Sequence, residues 1–251
     1  MRSIVDRNQI NNMHHKYYAQ HVINNPRGTT IQKESPYIGL PVGEFLFYVH
    51  PNDTCVSDSL RSGGLFEKFL LSFVKQFIDP SKDVLDLGAN LGNHTVVFST
   101  YTSCTVHAFE PQPLIFDILE TNVRSNNVTN VKTYPFGASN VDATFQMNAD
   151  YSVPENHGAF RICDEGSITI QCKPVDSLHL SNVGFVKIDV EGHEFEALQG
   201  MKETLKSCPP LMIEIHEDCP TCQETLDLIQ RYGYKSYFKM THCDYIFLST
   251  P

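Results

Sequence analysis

Apolar positions between residues 63 and 231 switch repeatedly between two periods. The stretch "GGLFEKFLLSFVKQFI", residues 63–78, spaces Leu65, Phe66, Phe69, Leu70, Phe73, Val74 and Phe77 along one stripe, which predicts an amphipathic helix. Short apolar runs then predict strands over 83–87, 104–109, 130–136, 184–189 and 210–216, interleaved with helices over 91–100, 112–126, 193–205 and 221–231. Alternating strands and helices call for right-handed crossovers, so the pattern specifies a doubly wound α/β domain, a mostly parallel sheet with helices on both faces. Two stretches break the alternation. Residues 142–178 carry period-two segments ("ATFQMNA", "GAFRIC", "SITIQCK") and no helical pattern, which predicts a β insertion before the fourth core strand. The chain closes on "YGYKSYFKMTHCDYIFLS", two β-rich runs around a short polar link, which predicts a C-terminal antiparallel hairpin. Upstream, "GEFLFYVHPNDTCV" predicts a further hairpin turning at Pro51-Asn52-Asp53, and residues 1–36 form a polar arm rich in Asn and His without periodicity. The expected division is therefore an arm, 1–36, and a single domain, 37–251, made of a hairpin and helix (37–80) and a core (81–251).

Composition narrows the classes. A chain of 251 residues with 41% hydrophobic and 11% aromatic residues can bury one sizeable core and is not a disordered segment. Lys and Arg number 19 against 29 Asp and Glu, a net charge of −10, and the basic residues do not cluster. A duplex-binding face needs a basic patch, so nucleic acid is not the expected partner. Eight scattered cysteines do not make a disulfide scaffold. "MRSIVDRNQINNMHHKYYAQ" has no apolar signal core and no later run approaches the length of a membrane span, so a cytoplasmic protein is expected. Asn-x-Ser/Thr matches at Asn52, Asn93 and Asn127 carry little weight without a secretory signal.

The candidate chemistry begins at "DVLDLGANLGNHT", residues 83–95, where the first core strand runs into Gly88 and a helix starts near Leu91. Ligands of open α/β sheets bind at such carboxyl ends of strands. Gly88 and Gly92 allow close approach to backbone, and the helix start offers free N–H groups. Glu110 stands at the tip of the second strand, in "VHAFEP", where a carboxylate accepts hydrogen bonds from ribose hydroxyls. Together these point to an adenosine-containing ligand. A dinucleotide is disfavoured, because Asn90 replaces the second glycine of its fingerprint and a terminal hairpin is foreign to that domain. A plain strand-end carboxylate at Glu110 and a cap at Asp86 remain the local alternatives.

Further along, "VKIDVEGHE" places Asp189, Glu191, Gly192 and His193 at the fourth strand tip, and "LMIEIHED" places Glu214 and His216 on one side of the fifth. His216, Cys219 and Cys222 spell H-x-x-C-x-x-C, which His242-Cys243 could complete as a zinc set; the plainer reading has Pro220 opening a helix, with Cys219 near its N-cap and Cys222 packed in its first turn.

In order and spacing, "GGLFEKFLL", "DLGANLGNHT", "AFEPQP", "NVTNVKTYPFGAS", "NHGAF", "PVDSL" and "VGFVKIDVEGHEFEALQGMKETL" leading to "PPLMIEIHE" resemble the FkbM family of S-adenosylmethionine-dependent methyltransferases, over roughly residues 43–217. The resemblance implies a Rossmann-like class I fold with a seven-stranded sheet. It implies that Asp86, Gly88, Asn90 and Gly92 line the methionine end of S-adenosylmethionine with Asn93 nearby. Glu110 would hold the ribose, Phe136, Gly137 and Ala138 would sit beside the adenine, and Glu67 would lie near the amino-acid moiety. Asp189, Glu214 and His216 would face the transferring methyl. The acceptor would be a hydroxyl of a sugar, a glycan or a glycosylated natural product. Removing its proton needs either a general base, for which His216 is suited, or a divalent cation such as Mg²⁺ or Mn²⁺ held by Asp189, Glu214 and His216. N- or carboxyl methylation, a catalytically inactive cofactor-binding module and an NAD-dependent oxidoreductase are the competing readings.

Overall fold

In a computed structural model, residues 37–249 are described, and the predicted arm 1–36 lies outside them. Among the described residues, thirteen strands and six α-helices follow in chain order. The strands are β1 (Ile38–Val42), β2 (Phe45–Val49), β3 (Asp83–Leu87), β4 (Val106–Phe109), β5 (Val131–Tyr134), β6 (Gly137–Ala138), β7 (Ala143–Met147), β8 (Ile162–Cys163), β9 (Ile168–Lys173), β10 (Val183–Ile188), β11 (Leu211–Glu214), β12 (Ser236–Lys239) and β13 (Asp244–Leu248). The helices are α1 (Val56–Arg61), α2 (Lys68–Val74), α3 (Asn93–Phe98), α4 (Pro113–Ser125), α5 (Glu194–Gln199) and α6 (Cys222–Tyr232).

Seven strands form one sheet in the order β12-β13-β11-β10-β3-β4-β5. β11, β10, β3, β4 and β5 are parallel, and β13 enters antiparallel between β11 and β12, so the predicted terminal hairpin is present. The strand order reverses between β3 and β10, the place at which open α/β sheets bind ligands along the carboxyl ends of their strands. Alternation along the central strands sorts the core into two layers. Leu85, Leu87, Val186 and Ile188 pack toward α5 and α6, while Val84 and Phe185 pack toward α2 and α3.

The β insertion is also present. β7, β8 and β9 join β6 in a four-stranded sheet of order β6-β9-β7-β8, which stands over the carboxyl edge of the large sheet. Two expectations are corrected. The first hairpin turns at Gly43-Glu44, where Gly43 has φ +60°, and not at Pro51-Asn52-Asp53. Pro51 and Asn52 do make a turn, but it delivers Asp53 to a bridge with Glu155 of the insertion and then into α1. The helix predicted over 63–78 begins only at Lys68, because Gly63 and Glu67 take left-handed φ values of +82° and +51°. Its buried face carries Leu70, Leu71 and Val74, and Phe69 points to solvent at 68% exposure.

Candidate functional site

The cleft at the carboxyl edge, about 630 Å³ counted to its open mouth, lies between the β3 turn, the tips of β4 and β10, and the small sheet. At its base the chain leaves β3 through Gly88, φ +77°; a Cβ there would stand 1.7 Å from the carbonyl oxygen of Asp189. Only glycine lets the β3 turn and the β10 tip touch backbone to backbone. Asn90 follows, also left-handed at φ +50°, with its own side chain accepting from Leu91 N at 2.7 Å. Its backbone N–H donates to Glu110 Oε2 at 3.0 Å, and Gln112 N donates to Glu110 Oε1 at 2.9 Å. Glu110 is thereby fixed at the cleft wall with one lone pair on each oxygen still available. Burial pushes its carboxyl up to about 7, against the pull of these two N–H groups.

Directly behind the turn, Lys187 of β10 and Asp86 of β3 are register partners in the parallel pair. Lys187 Nζ lies 3.5 Å from Asp86 Oδ1 and 3.2 Å from Asp189 Oδ2, and it donates to Gly88 O at 3.2 Å. Burial alone would lower its pKa, but Asp189 and Asp86 hold it above the ordinary lysine range. Asp86 is fully buried, and its Oδ2 accepts from Thr95 Oγ1 at 2.6 Å.

At the other end of the cleft, one carboxylate oxygen from each of Asp189, Glu191 and Glu214 gathers within 4.8 Å of the others. Burial, then Asp189 and Glu214, push Glu191 up to about 8; burial, then Asp189, push Glu214 up to about 7. Arg161 Nη2 stands 3.8 Å from Glu191 Oε2 at the solvent side. His193 Nε2 is 3.0 Å from Ser139 Oγ. Met147, Phe160, Ile162 and Ile170 of the insertion supply an apolar wall beside the Gly137-Ala138 edge, which belongs to the same small sheet. The arrangement offers a buried acceptor pair for hydroxyls, a flat apolar slot, and an acidic end short of positive charge.

Of the residues expected at the site, Gly88, Asn90, Glu110, Gly137, Ala138 and Asp189 line this cleft. Others stand behind it. Gly92 packs against Leu119; Asn93 clamps the backbone of Phe66 with both amide atoms, at 3.1 and 3.0 Å; Phe136 sits edge-on to Phe109 and Tyr134. Glu67 lies 3.2 Å from His94 Nε2. The expected metal set of Asp189, Glu214 and His216 is divided, since Asp189 and Glu214 group with Glu191, whereas His216 groups with His242 and Cys243. Glu214 belongs to both neighbourhoods, with Oε2 3.3 Å from His216 Nε2. Lys187, Gln112 and Gly158 were not expected from the sequence. A lone lysine inside the apolar run "VGFVKI" was the available signal for the first.

Known proteins agree with this architecture. The family described as the Methyltransferase FkbM domain matches residues 86–236, more than half of the chain. Hexuronic acid methyltransferase AglP of Haloferax volcanii is 36% identical over 140 residues, covering 53% of this chain and 56% of that protein. Methyltransferase 1 of Beauveria bassiana is 26% identical over 145 residues, covering 48% and 58%. The chain thus spans little more than half the length of these relatives. Among solved structures, methyltransferase FkbM from Methylobacillus flagellatus KT shares the fold at TM-score 0.51 and 19% identity, covering 67% of this chain and 44% of that one. With the match running from Asp86 in the β3 turn to Ser236 in β12, the chain belongs to the FkbM family of methyltransferases.

Proposed function

We propose that the protein transfers a methyl group from S-adenosylmethionine to a hydroxyl of a sugar or glycan, and that the acceptor carries a carboxylate. The observation behind this reading is the convergence, on one cleft, of a backbone-held carboxylate at one end and the carboxylates of Asp189 and Glu191 at the other, with Glu214 within 4.8 Å of both. The first suits a ribose; the second suits a cationic group. The residues fit the cofactor in a further respect. A Cβ at Gly137 would meet Cys172 Sγ at 2.9 Å, so this glycine keeps the slot flat enough for a planar base beside the apolar wall.

Bound S-adenosylmethionine supplies an electrophilic methyl on a sulfonium. Asp189, paired with Lys187 at 3.2 Å, presents its carboxylate at the base of the cleft, where it draws positive charge. Glu214 then receives the acceptor hydroxyl's proton, and His216, at 3.3 Å, positions it. Arg161 stands at the mouth as an exposed cation in a chain of net charge −10, where it can pair with the carboxylate of an acidic sugar. The similarity to a relative named for hexuronic acid supports that class.

Labelled S-adenosylmethionine offered with free and nucleotide-linked hexoses and hexuronic acids tests the reading. Alkali-stable label on an acidic sugar is the expected product. Alkali-labile label would indicate a carboxyl ester and replace O-methylation of a hydroxyl; tight NAD binding without S-adenosylmethionine binding in calorimetry would overturn the cofactor.

A further inference from the structure

The tip of β11 and the turn joining β12 to β13 bring three nitrogen and sulfur donors together beside Glu214. One ring nitrogen each of His216 and His242 and the Sγ of Cys243 lie within 4.8 Å of one another. Cys243 Sγ is 3.5 Å from His242 Nε2. With Zn–S of about 2.3 Å and Zn–N of about 2.05 Å, a tetrahedral angle sets sulfur and nitrogen about 3.5 Å apart. The spacing is held by the sheet, because Glu214 and Asp244 are register partners and Ile215 N donates to Cys243 O at 2.7 Å. Glu214 supplies the outer contacts, accepting from Cys243 Sγ at 3.2 Å and lying 3.3 Å from His216 Nε2. Two imidazoles and a thiol select a borderline metal over Mg²⁺ or Mn²⁺.

We propose that His216, His242 and Cys243 bind Zn²⁺, with a water in the fourth position beside Glu214. Binding releases the Cys243 thiol proton to solvent, one proton per zinc, and no electron is transferred. The metal fastens the β12–β13 turn to the tip of β11, at the edge of the acidic end of the cleft. The C-x-x-C pair stays outside this set. Cys219 Sγ faces Thr221 Oγ1 at 3.3 Å, and Cys222 packs against the core as the first residue of α6. The inference is independent of the proposed acceptor, and its test does not read methyl transfer.

Metal-stripped full-length protein is titrated with Zn²⁺ against a chromophoric chelator, and separately with Co²⁺. One submicromolar zinc per chain is expected, together with a thiolate-to-cobalt charge-transfer band that Cys243→Ser abolishes. His242 is exposed, so His242→Gln leaves the fold intact, and it should weaken zinc by more than about 100-fold, above what a lost outer contact costs. Failure to compete with a micromolar chelator would overturn the site. So would a charge-transfer band that survives in Cys243→Ser and disappears in Cys219→Ser or Cys222→Ser, or an unchanged zinc affinity in His242→Gln.

Discussion

Replacing Lys187 with Met removes an ammonium from the inner face of the sheet while keeping an unbranched chain of similar length. At an effective dielectric of about 20, charges 3.5 and 3.2 Å apart attract by about 5 kcal/mol each, before desolvation is subtracted. The Asp189 share is discounted, because that carboxylate is partly exposed and water replaces much of the lost attraction. Asp86 has no such recourse. It is fully buried, and its Oδ1 has no hydrogen-bond partner, so the ammonium is what offsets its charge. Breaking a buried pair of this kind costs about 3–5 kcal/mol. For a chain of this size that lowers Tm by about 6–20 °C. Urea unfolding and scanning calorimetry at pH 7 read both quantities. The double variant Asp86→Asn/Lys187→Met should regain more than half of the loss, since Asn still accepts the 2.6 Å hydrogen bond from Thr95 without carrying charge. A single variant within about 1 kcal/mol of the parent, no more than the average point substitution costs, would refute the argument. So would a double variant no more stable than Lys187→Met.

Gly88→Ala should cost more than the about 1–2 kcal/mol of a left-handed non-glycine residue, because its Cβ meets the Asp189 backbone, whereas Gly192→Ala, at φ +98° with open space around it, should cost only that strain; thermal unfolding compares the two. With the Glu110 carboxyl pushed up to about 7, S-adenosylmethionine affinity measured by calorimetry should rise with pH through about 7, and Glu110→Gln should flatten the profile. The same raised value has the opposite effect on the free protein: Glu110's stabilising contribution is complete below its unfolded value of about 4.5 and is lost as pH rises through about 7. Arg161→Ala should raise KM for a carboxylated sugar about tenfold, the equivalent of about 1.4 kcal/mol, and leave S-adenosylmethionine binding unchanged; equal KM values for acidic and neutral sugars in the parent would remove Arg161 from acceptor recognition.

The fold was legible where burial makes pattern and structure coincide. β3 occupies the predicted residues 83–87, because Val84, Leu85 and Leu87 are buried on both faces of the strand and mark it out despite Asp86. Legibility failed where a backbone angle decides. Periodicity carried the helix back to residue 63, and nothing in the stripe reveals that Glu67 turns left-handed before Lys68. Pro51-Asn52-Asp53 has the composition of a hairpin turn, yet its carboxylate is needed at the insertion, 104 residues away in sequence, where Asp53 Oδ1 accepts from His157 N. The same division holds at the cleft. Residues at strand tips could be placed from strand prediction alone. Lys187 and Gln112 gain their roles from partners on other elements, which one sequence does not display.

Those distant partners join the separately predicted pieces into one device. Asp53, beyond the first hairpin, holds His157 N at 3.0 Å; His157 O accepts from Gln112 Nε2 at 3.1 Å; Gln112 N donates to Glu110 Oε1 at 2.9 Å; and Glu110 Oε2 accepts from Asn90 N at 3.0 Å. Tyr151 OH closes the path from the insertion side by donating to Gln112 Oε1 at 2.9 Å. The segment before the core, the insertion and the glycine turn therefore meet at one carboxylate, through groups that are mostly buried, where hydrogen bonds weaken little by exchange with water. A carboxylate held from three directions keeps its free lone pairs aimed into the cleft without reorganising when a ligand arrives. That preorganisation gives the β insertion a purpose beyond its apolar wall, since removing it would also leave Gln112 without the backbone carbonyl that its side chain holds.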